Sequence, residues 1–156
     1  MDVYEKSIEA PRHAFPSREA ALAARALGAL SLLAVGAVHL QQYLDIYHAI
    51  PTIGTLFVLN FAGATAIGLG LLTPVQRALG RWSDPVVALL ALGGIGQAAT
   101  SFVFLLIAER TPLFGFMEPG YDPPAIMASR VTEVATVALL GAFLALRLAD
   151  TLSRRA

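Results

Sequence analysis

Cysteine is absent from the 156 residues, which excludes disulfides, thiolate metal sites and cysteine nucleophiles together. Charged residues are scarce, at 14% of the chain, where a soluble globular domain carries about a quarter. The 11 basic and 11 acidic residues balance, so no overall field directs the chain toward a phosphate polymer. These deficits exclude a globular cytosolic enzyme, a disordered chain and a nucleic-acid-binding module.

Apolar sequence is abundant instead: 56% of the residues are hydrophobic and the mean hydropathy is +0.66. A bilayer core about 30 Å thick needs roughly 20 apolar residues per helix, and four runs of that length occur. They predict an all-α, polytopic membrane protein whose four transmembrane helices form an antiparallel bundle. The predicted spans are residues 22–44, 52–72, 86–108 and 124–148, within a transmembrane domain of residues 20–150 that is flanked by a cytoplasmic N-terminal extension (1–19) and a cytoplasmic tail (151–156).

The distribution of Lys and Arg predicts the orientation. Nine of these residues lie before or at the start of the first span, between the second and third spans, or from the end of the fourth span onward, and only Arg110 and Arg130 lie on the other side. The positive-inside rule therefore predicts a multi-pass protein of the cell (plasma) membrane with both termini in the cytoplasm. Residues 45–51 and 109–123 are then outside.

Ionisable residues inside the fourth span point to an internal polar pocket. An ionised side chain near the bilayer centre costs about 2.5 to 3.5 kcal/mol, and at 100° per residue Glu133 shares one helix face with Ser129, Thr132 and Thr136. That face must look into the bundle. The other spans supply polar groups at compatible depth, and residues 47–51 would cover the pocket from outside. The predicted ligand-binding residues are His39, Gln42, Tyr43, Asn60, Gln97, Arg130 and Glu133.

A purely structural interpretation stays open beside this one. Arg130 and Glu133 would form a self-satisfying i, i+3 pair, or His39 would be a second partner of Glu133, and Asn60 and Gln97 would join helices by hydrogen bonds worth about 0.6 kcal/mol each. Small residues four apart predict close helix packing. Alternatively, the glycines within residues 93–96 leave room for a ligand. The small-residue pairs are Ala24 and Gly28, Ala64 and Gly68, Ala66 and Gly70, and Gly94 and Ala98.

The spacing of the histidines gives little support to metal or haem binding. His39, His48 and Glu133 are weak metal candidates, because the nine-residue gap between the histidines matches no compact ligand motif. A b-type haem would need His39 together with His48, or with His39 of a second subunit. A metal-free pocket is preferred, and no catalytic residue is assigned.

The stretch of residues 38–63, VHLQQYLDIYHAIPTIGTLFVLNFAG, resembles small, uncharacterised four-helix integral membrane proteins common in high-GC actinobacterial genomes. Length and span count are also similar to those of the broader DoxX-like group, some of whose members are associated with quinone-linked or thiol-linked redox chemistry. The resemblance implies a four-helix membrane fold and transfers no site residue. The absence of cysteine excludes the thiol-linked redox chemistry for this chain.

These observations leave three functions open. The leading hypothesis is a pocket that binds a small ligand, a quinone head group or a redox cofactor, as an accessory of a membrane redox complex. The alternatives are transport of a proton or small solute by an oligomer, and a structural or assembly role. The expected partners are the lipid bilayer and either a second copy or a larger membrane complex, and no nucleic acid is expected.

Overall fold

Four long helices make up most of the computed structural model, which describes residues 18–74 and 79–155. Two single-turn 3-10 helices, Tyr47–Ala49 and Gly80–Trp82, precede the second and third long helices. The described residues form no strand beyond one isolated bridge, so the all-α prediction is confirmed. The long helices are α1 (Arg18–Asp45), α2 (Pro51–Leu72), α3 (Ser83–Ala108) and α4 (Pro123–Ser153).

The helices extend the predicted spans at several ends. Helix α1 begins at Arg18 and α4 continues to Ser153, because the flanking polar residues include no helix breaker. The predicted cytoplasmic tail therefore starts inside α4, and residues 1–17 of the predicted N-terminal extension lie outside the described residues. At the start of α4, the Asp122 carboxylate accepts a hydrogen bond from the Ala125 N–H at 3.1 Å, and Pro123 occupies the first position, where a missing N–H costs nothing.

Small residues allow the helices to approach closely, as the sequence predicts. The Leu140 side chain of α4 is fully buried between Gly28 of α1 and Gly94 of α3. A Cβ at Gly28 would lie 2.6 Å from Leu140, and one at Gly94 would lie 2.9 Å from it. A Cβ at Gly68 of α2 would lie 2.7 Å from the Leu33 side chain of α1, whereas Ala66 is exposed. Most of the predicted small-residue pairs are thus true packing positions.

The interior is divided into an apolar part and a polar part. Apolar side chains fill the part bounded by the end of α2 and the start of α3, with Leu71, Val87 and Phe143 among them. An ion pair from Arg147 to Asp84, 2.8 Å long, links α3 to α4 there. Apart from Ser83, the buried polar residues of the described ranges lie from the middle of the bundle, at Thr136, to the end beside the α1–α2 and α3–α4 connections.

The outer surface of the four helices is apolar. Leu59 is 61% exposed, Leu89 69% and Val131 59%, which a water-soluble monomer would not sustain over so much of its surface. All four helices are long and apolar enough to cross a membrane. The composition and this surface together indicate a multi-pass membrane protein.

Candidate functional site

A hydrogen-bonded polar layer connects three of the helices. Gln97 of α3 donates from Nε2 to the main-chain carbonyl of Asn60 at 2.7 Å and to its Oδ1 at 3.1 Å. Asn60 of α2 donates in turn from Nδ2 to Ser101 Oγ at 3.1 Å. Ser101 Oγ lies 3.0 Å from His39 Nε2 of α1. The predicted role of Asn60 and Gln97 as a hydrogen-bonded link between helices matches this geometry.

The backbone determines which His39 nitrogen carries the proton. Nδ1 lies 2.9 Å from the carbonyl oxygen of Val35, which can only accept. Neutral His39 therefore keeps its proton on Nδ1 and accepts at Nε2 from the Ser101 hydroxyl. Ser101 is consequently the hub of the polar layer, because it accepts from Asn60 and donates to His39.

Glu133 of α4 completes the polar layer with an unused acceptor. Its side chain is 1% exposed, and Oε1 accepts from Ser129 Oγ at 3.0 Å. Oε2 is buried and has no hydrogen-bond partner among residues 18–74 and 79–155. A buried, unpaired carboxyl oxygen costs on the order of 1 to 3 kcal/mol or more. Such an atom is rare in folded proteins and marks a place where a water or a bound molecule can supply the missing hydrogen bond.

Arg130 does not pair with Glu133, so the self-satisfying i, i+3 pair is wrong. Its Nη2 donates to both carboxylate oxygens of Glu109, the residue that follows α3. The long side chain reaches across to α3 because position 130 lies beside the face that carries Glu133, not on it. His39 is not a direct partner of Glu133 either, since both its ring nitrogens are engaged elsewhere. Within the described residues Glu133 accepts one hydrogen bond of good geometry, from Ser129, and the Ser101 hydroxyl lies near its carboxyl group.

A cavity of about 460 Å³ lies beside the polar layer. Its walls are largely apolar and aromatic, which suits an organic ligand that the polar groups orient. Arg130 and Tyr43 do not line it: Arg130 is held by Glu109, and the Tyr43 ring lies edge-on to His48 at 6.3 Å. Five of the seven predicted ligand-binding residues do line it: His39, Gln42, Asn60, Gln97 and Glu133.

The roof of the cavity is a pair that joins the two connections, Tyr47 and Glu118. Tyr47 is buried, stacks on Phe57 at 4.5 Å and donates its hydroxyl to the Glu118 carboxylate. Burial, followed by the hydrogen bond and negative charge of Glu118, raises the pKa of Tyr47 above its usual range. Of the predicted roof, residues 47–51, only Tyr47 lines the cavity, and His48 is exposed.

Glu118, like Ser101, lines the cavity although neither is among the predicted ligand-binding residues. Glu118 is buried, and its Oε1 accepts from the N–H groups of Gly120 and Tyr121 at 2.8 and 3.0 Å. The carboxylate thereby closes the turn in which Gly120 has a φ of +87°. An acidic residue directly before Pro119 and Gly120 was the available signal, and such a signal marks a turn without showing what the acid faces.

The weak metal and haem candidates are not brought together. His48 is exposed, with Nδ1 3.2 Å from the Tyr43 carbonyl oxygen, whereas His39 and Glu133 are buried. The described ranges contain no group of three or more His, Asp or Glu side chains placed to hold a metal ion. Haem ligation by His39 and His48 of one chain therefore does not fit this arrangement.

The site offers one free carboxyl oxygen, a fixed imidazole and an amide–hydroxyl chain around an apolar cavity. Such a set can orient a small polar head group, and exchange a proton with it at Glu133. No protein-family model, no curated protein and no solved structure matches the chain.

Proposed function

We propose that this chain is a plasma-membrane protein whose intramembrane cavity binds the ring head group of a quinone or quinol. The single observation that carries the proposal is the Glu133 carboxyl group, which lines the cavity and whose buried Oε2 makes no hydrogen bond of good geometry within the described residues. If Glu133 is ionised, Oε2 accepts a hydrogen bond from a quinol hydroxyl. If it is protonated, the carboxyl group donates to a quinone carbonyl.

The proposed placement in the membrane is an antiparallel four-helix bundle with both termini in the cytoplasm. The contact of Tyr47 with Glu118 supports it, because it places the α1–α2 and α3–α4 connections side by side. The excess of Lys and Arg near the termini and the α2–α3 connection supports the same orientation. In this arrangement the polar layer lies in the outer half of the membrane.

The other lining residues hold the head group in place. The Ser101 hydroxyl also neighbours the Glu133 carboxyl group, and its bonds to His39 and Asn60 keep it there. Phe57 contacts both His39, at 5.0 Å between ring centroids, and Tyr47. An aromatic wall of this kind favours a flat ring by offset or edge contacts.

Transport of a proton or small solute is less well supported. A path across the membrane would have to pass through the apolar half of the bundle, where Leu32, Leu71 and Leu140 are fully buried. A role in assembly alone would leave the free oxygen of Glu133 without a purpose. A ligand site that serves a larger redox complex agrees with both the closed apolar half and the unpaired oxygen of Glu133. On length and span count, membership of the DoxX-like group is part of the same proposal.

Substitution of Glu133 by Gln tests the proposed function. The purified protein is placed in nanodiscs, and binding of a decyl-chain benzoquinone and of its quinol is measured by equilibrium titration. A hydrogen bond to a charged partner is worth about 1.5 to 3 kcal/mol, so Glu133→Gln should weaken quinol binding by roughly 10- to 100-fold. Glu109→Gln is the matched control, because Glu109 pairs with Arg130 and does not line the cavity.

The outcomes separate the competing functions. Loss of quinol affinity in Glu133→Gln but not in Glu109→Gln supports the binding site. If the unmodified protein binds neither probe, and Glu133→Gln fails to insert or to fold, the polar layer is a packing cluster. Equal affinity in all three proteins would also contradict the proposal.

A further inference from the structure

The cavity opens on the side of the bundle. Three of its lining residues are exposed on the outer surface of α2 and α3: Leu59, Gly96 and Thr100. We call them the portal. A Cβ built on Gly96 meets no atom within 4 Å, so open space lies directly in front of it. The gap between α2 and α3 therefore leads from the apolar surface of the protein to the polar layer.

Behind the portal, the lining residue Gln97 packs against Gly63 of α2. A Cβ at Gly63 would lie 2.8 Å from Gln97 Oε1, so the glycine lets the amide lie directly against α2. From there Gln97 bonds to Asn60 across the two helices. The gap thus ends at the polar layer, and a molecule entering through it meets hydrogen-bonding groups only after passing the apolar rim.

The roof covers the cavity at the end where the connections lie. Tyr47 is hydrogen-bonded to Glu118 and contacts Phe116 edge-on at 5.6 Å. Beside this pair, Gln42 Nε2 donates to Asp122 Oδ2 at 2.9 Å, which links α1 to the start of α4. Entry from the aqueous side would have to break these contacts, whereas the three portal residues make no side-chain hydrogen bond within the described part of the chain.

The charge of the cavity narrows the class of ligand. Its lining includes the carboxyl groups of Glu118 and Glu133 and no Lys or Arg among the described residues. The nearest cation of α4, Arg130, is already neutralised by Glu109. An anionic phosphate head group would meet two carboxyl groups and no cationic side chain here, so it does not fit. A neutral ring with hydroxyl or carbonyl groups does.

From these observations we infer that the ligand comes from the bilayer and enters laterally through the portal: it is a neutral quinone or quinol with an apolar chain that stays between α2 and α3. This inference rests on the proposed function and adds to it the route by which the ligand enters and the apolar chain that the ligand carries. It predicts that blocking Gly96 impairs binding even though Gly96 offers no polar contact.

The absence of cysteine allows the portal to be blocked after folding. Gly96→Cys introduces the only thiol of the chain, at a position where the added side chain meets open space. Modification with a bulky maleimide then fills the portal in the folded protein. Gly141→Cys is the matched control, because a Cβ there also meets nothing within 4 Å and Gly141 does not line the cavity.

Binding is measured in nanodiscs before and after modification, with a decyl-chain benzoquinol and with the same head group lacking the chain. Modification at Gly96 should lower the affinity or the association rate of the decyl probe at least about tenfold, and modification at Gly141 should change it less than about twofold. Binding of the decyl probe that is unaffected by modified Gly96→Cys overturns lateral entry while leaving the proposed function in place. Tighter binding of the tail-less probe likewise overturns it. If the unmodified protein binds neither probe, the proposed function and this inference fail together.

Discussion

Removal of the Ser101 hydroxyl should destabilise the bundle more than removal of any hydroxyl that makes a single interhelical bond. Ser101 of α3 accepts from Asn60 of α2 and donates to His39 of α1, so Ser101→Ala breaks two links between helices. It also leaves His39 Nε2 without its donor. Ser31→Ala is the matched control: Ser31 of α1 donates once, at 2.9 Å, to the Thr132 carbonyl oxygen of α4.

The expected magnitudes follow from hydrogen bonds measured inside membrane proteins. These average about 0.6 kcal/mol and reach about 1.7 kcal/mol, so two bonds give roughly 1.2 to 3.4 kcal/mol for Ser101→Ala. Ser31→Ala should cost about 0.6 kcal/mol, because the Thr132 carbonyl keeps a second donor, Thr136 Oγ1 at 2.7 Å.

The free energy of unfolding is measured in bicelles by steric trapping or by reversible titration with a denaturing detergent. A double-mutant cycle with Asn60→Ala isolates the Asn60–Ser101 bond, for which we expect a coupling energy of about 0.6 kcal/mol. If Ser101→Ala costs no more than Ser31→Ala, Ser101 is not the hub of the polar layer.

Two further predictions concern the apolar half and the roof. Leu140→Ala leaves a cavity of roughly 75 Å³ and should lower the free energy of unfolding by about 1.8 kcal/mol, at about 24 cal/mol per Å³; no large transfer term is added, because lipid is as apolar as leucine. In the same measurement Leu148→Ala, at a residue that is 61% exposed, should lower it by less than about 0.5 kcal/mol. Equal losses in the two variants would contradict the packing described here. Because the pKa of Tyr47 is raised in the native state, the unfolded chain releases the phenolic proton above about pH 10 while the native state keeps it, so stability should fall as the pH rises beyond that value. Tyr47→Phe should flatten this part of the profile of unfolding free energy against pH. An unchanged profile would refute the burial of the phenol.

The helical spans could be predicted from sequence because their signal is local. Twenty apolar residues in a row carry enough information to place a helix across a bilayer, and Pro51 and Pro123 mark the starts of α2 and α4. The inward-facing polar stripe of α4 could be predicted for the same kind of reason. A single helix determines by its 100° spacing that Ser129, Glu133 and Thr136 lie on one face, and the cost of a charge in lipid turns that face inward.

The partners of the polar groups depend on distances between helices, which no local pattern contains. Arg130 lies within one turn of Glu133 in the sequence, yet it pairs with Glu109 because α3 ends beside it. Glu118 is buried only because its turn folds back onto Tyr47, 71 residues earlier in the chain. Both outcomes require the relative placement of α3 and α4.

The amino-acid sequence by itself thus determined the number of helices, their boundaries to within a few residues and the positions of polar side chains along them, since each follows from hydropathy and helical periodicity. Only the tertiary structure decided that the Ser101 hydroxyl bridges His39 and Asn60, that one oxygen of Glu133 is left free, and that the cavity opens between α2 and α3. A hydrogen bond is satisfied or left open by differences of a few tenths of an ångström between atoms on separate helices. Those differences are set when the whole bundle packs.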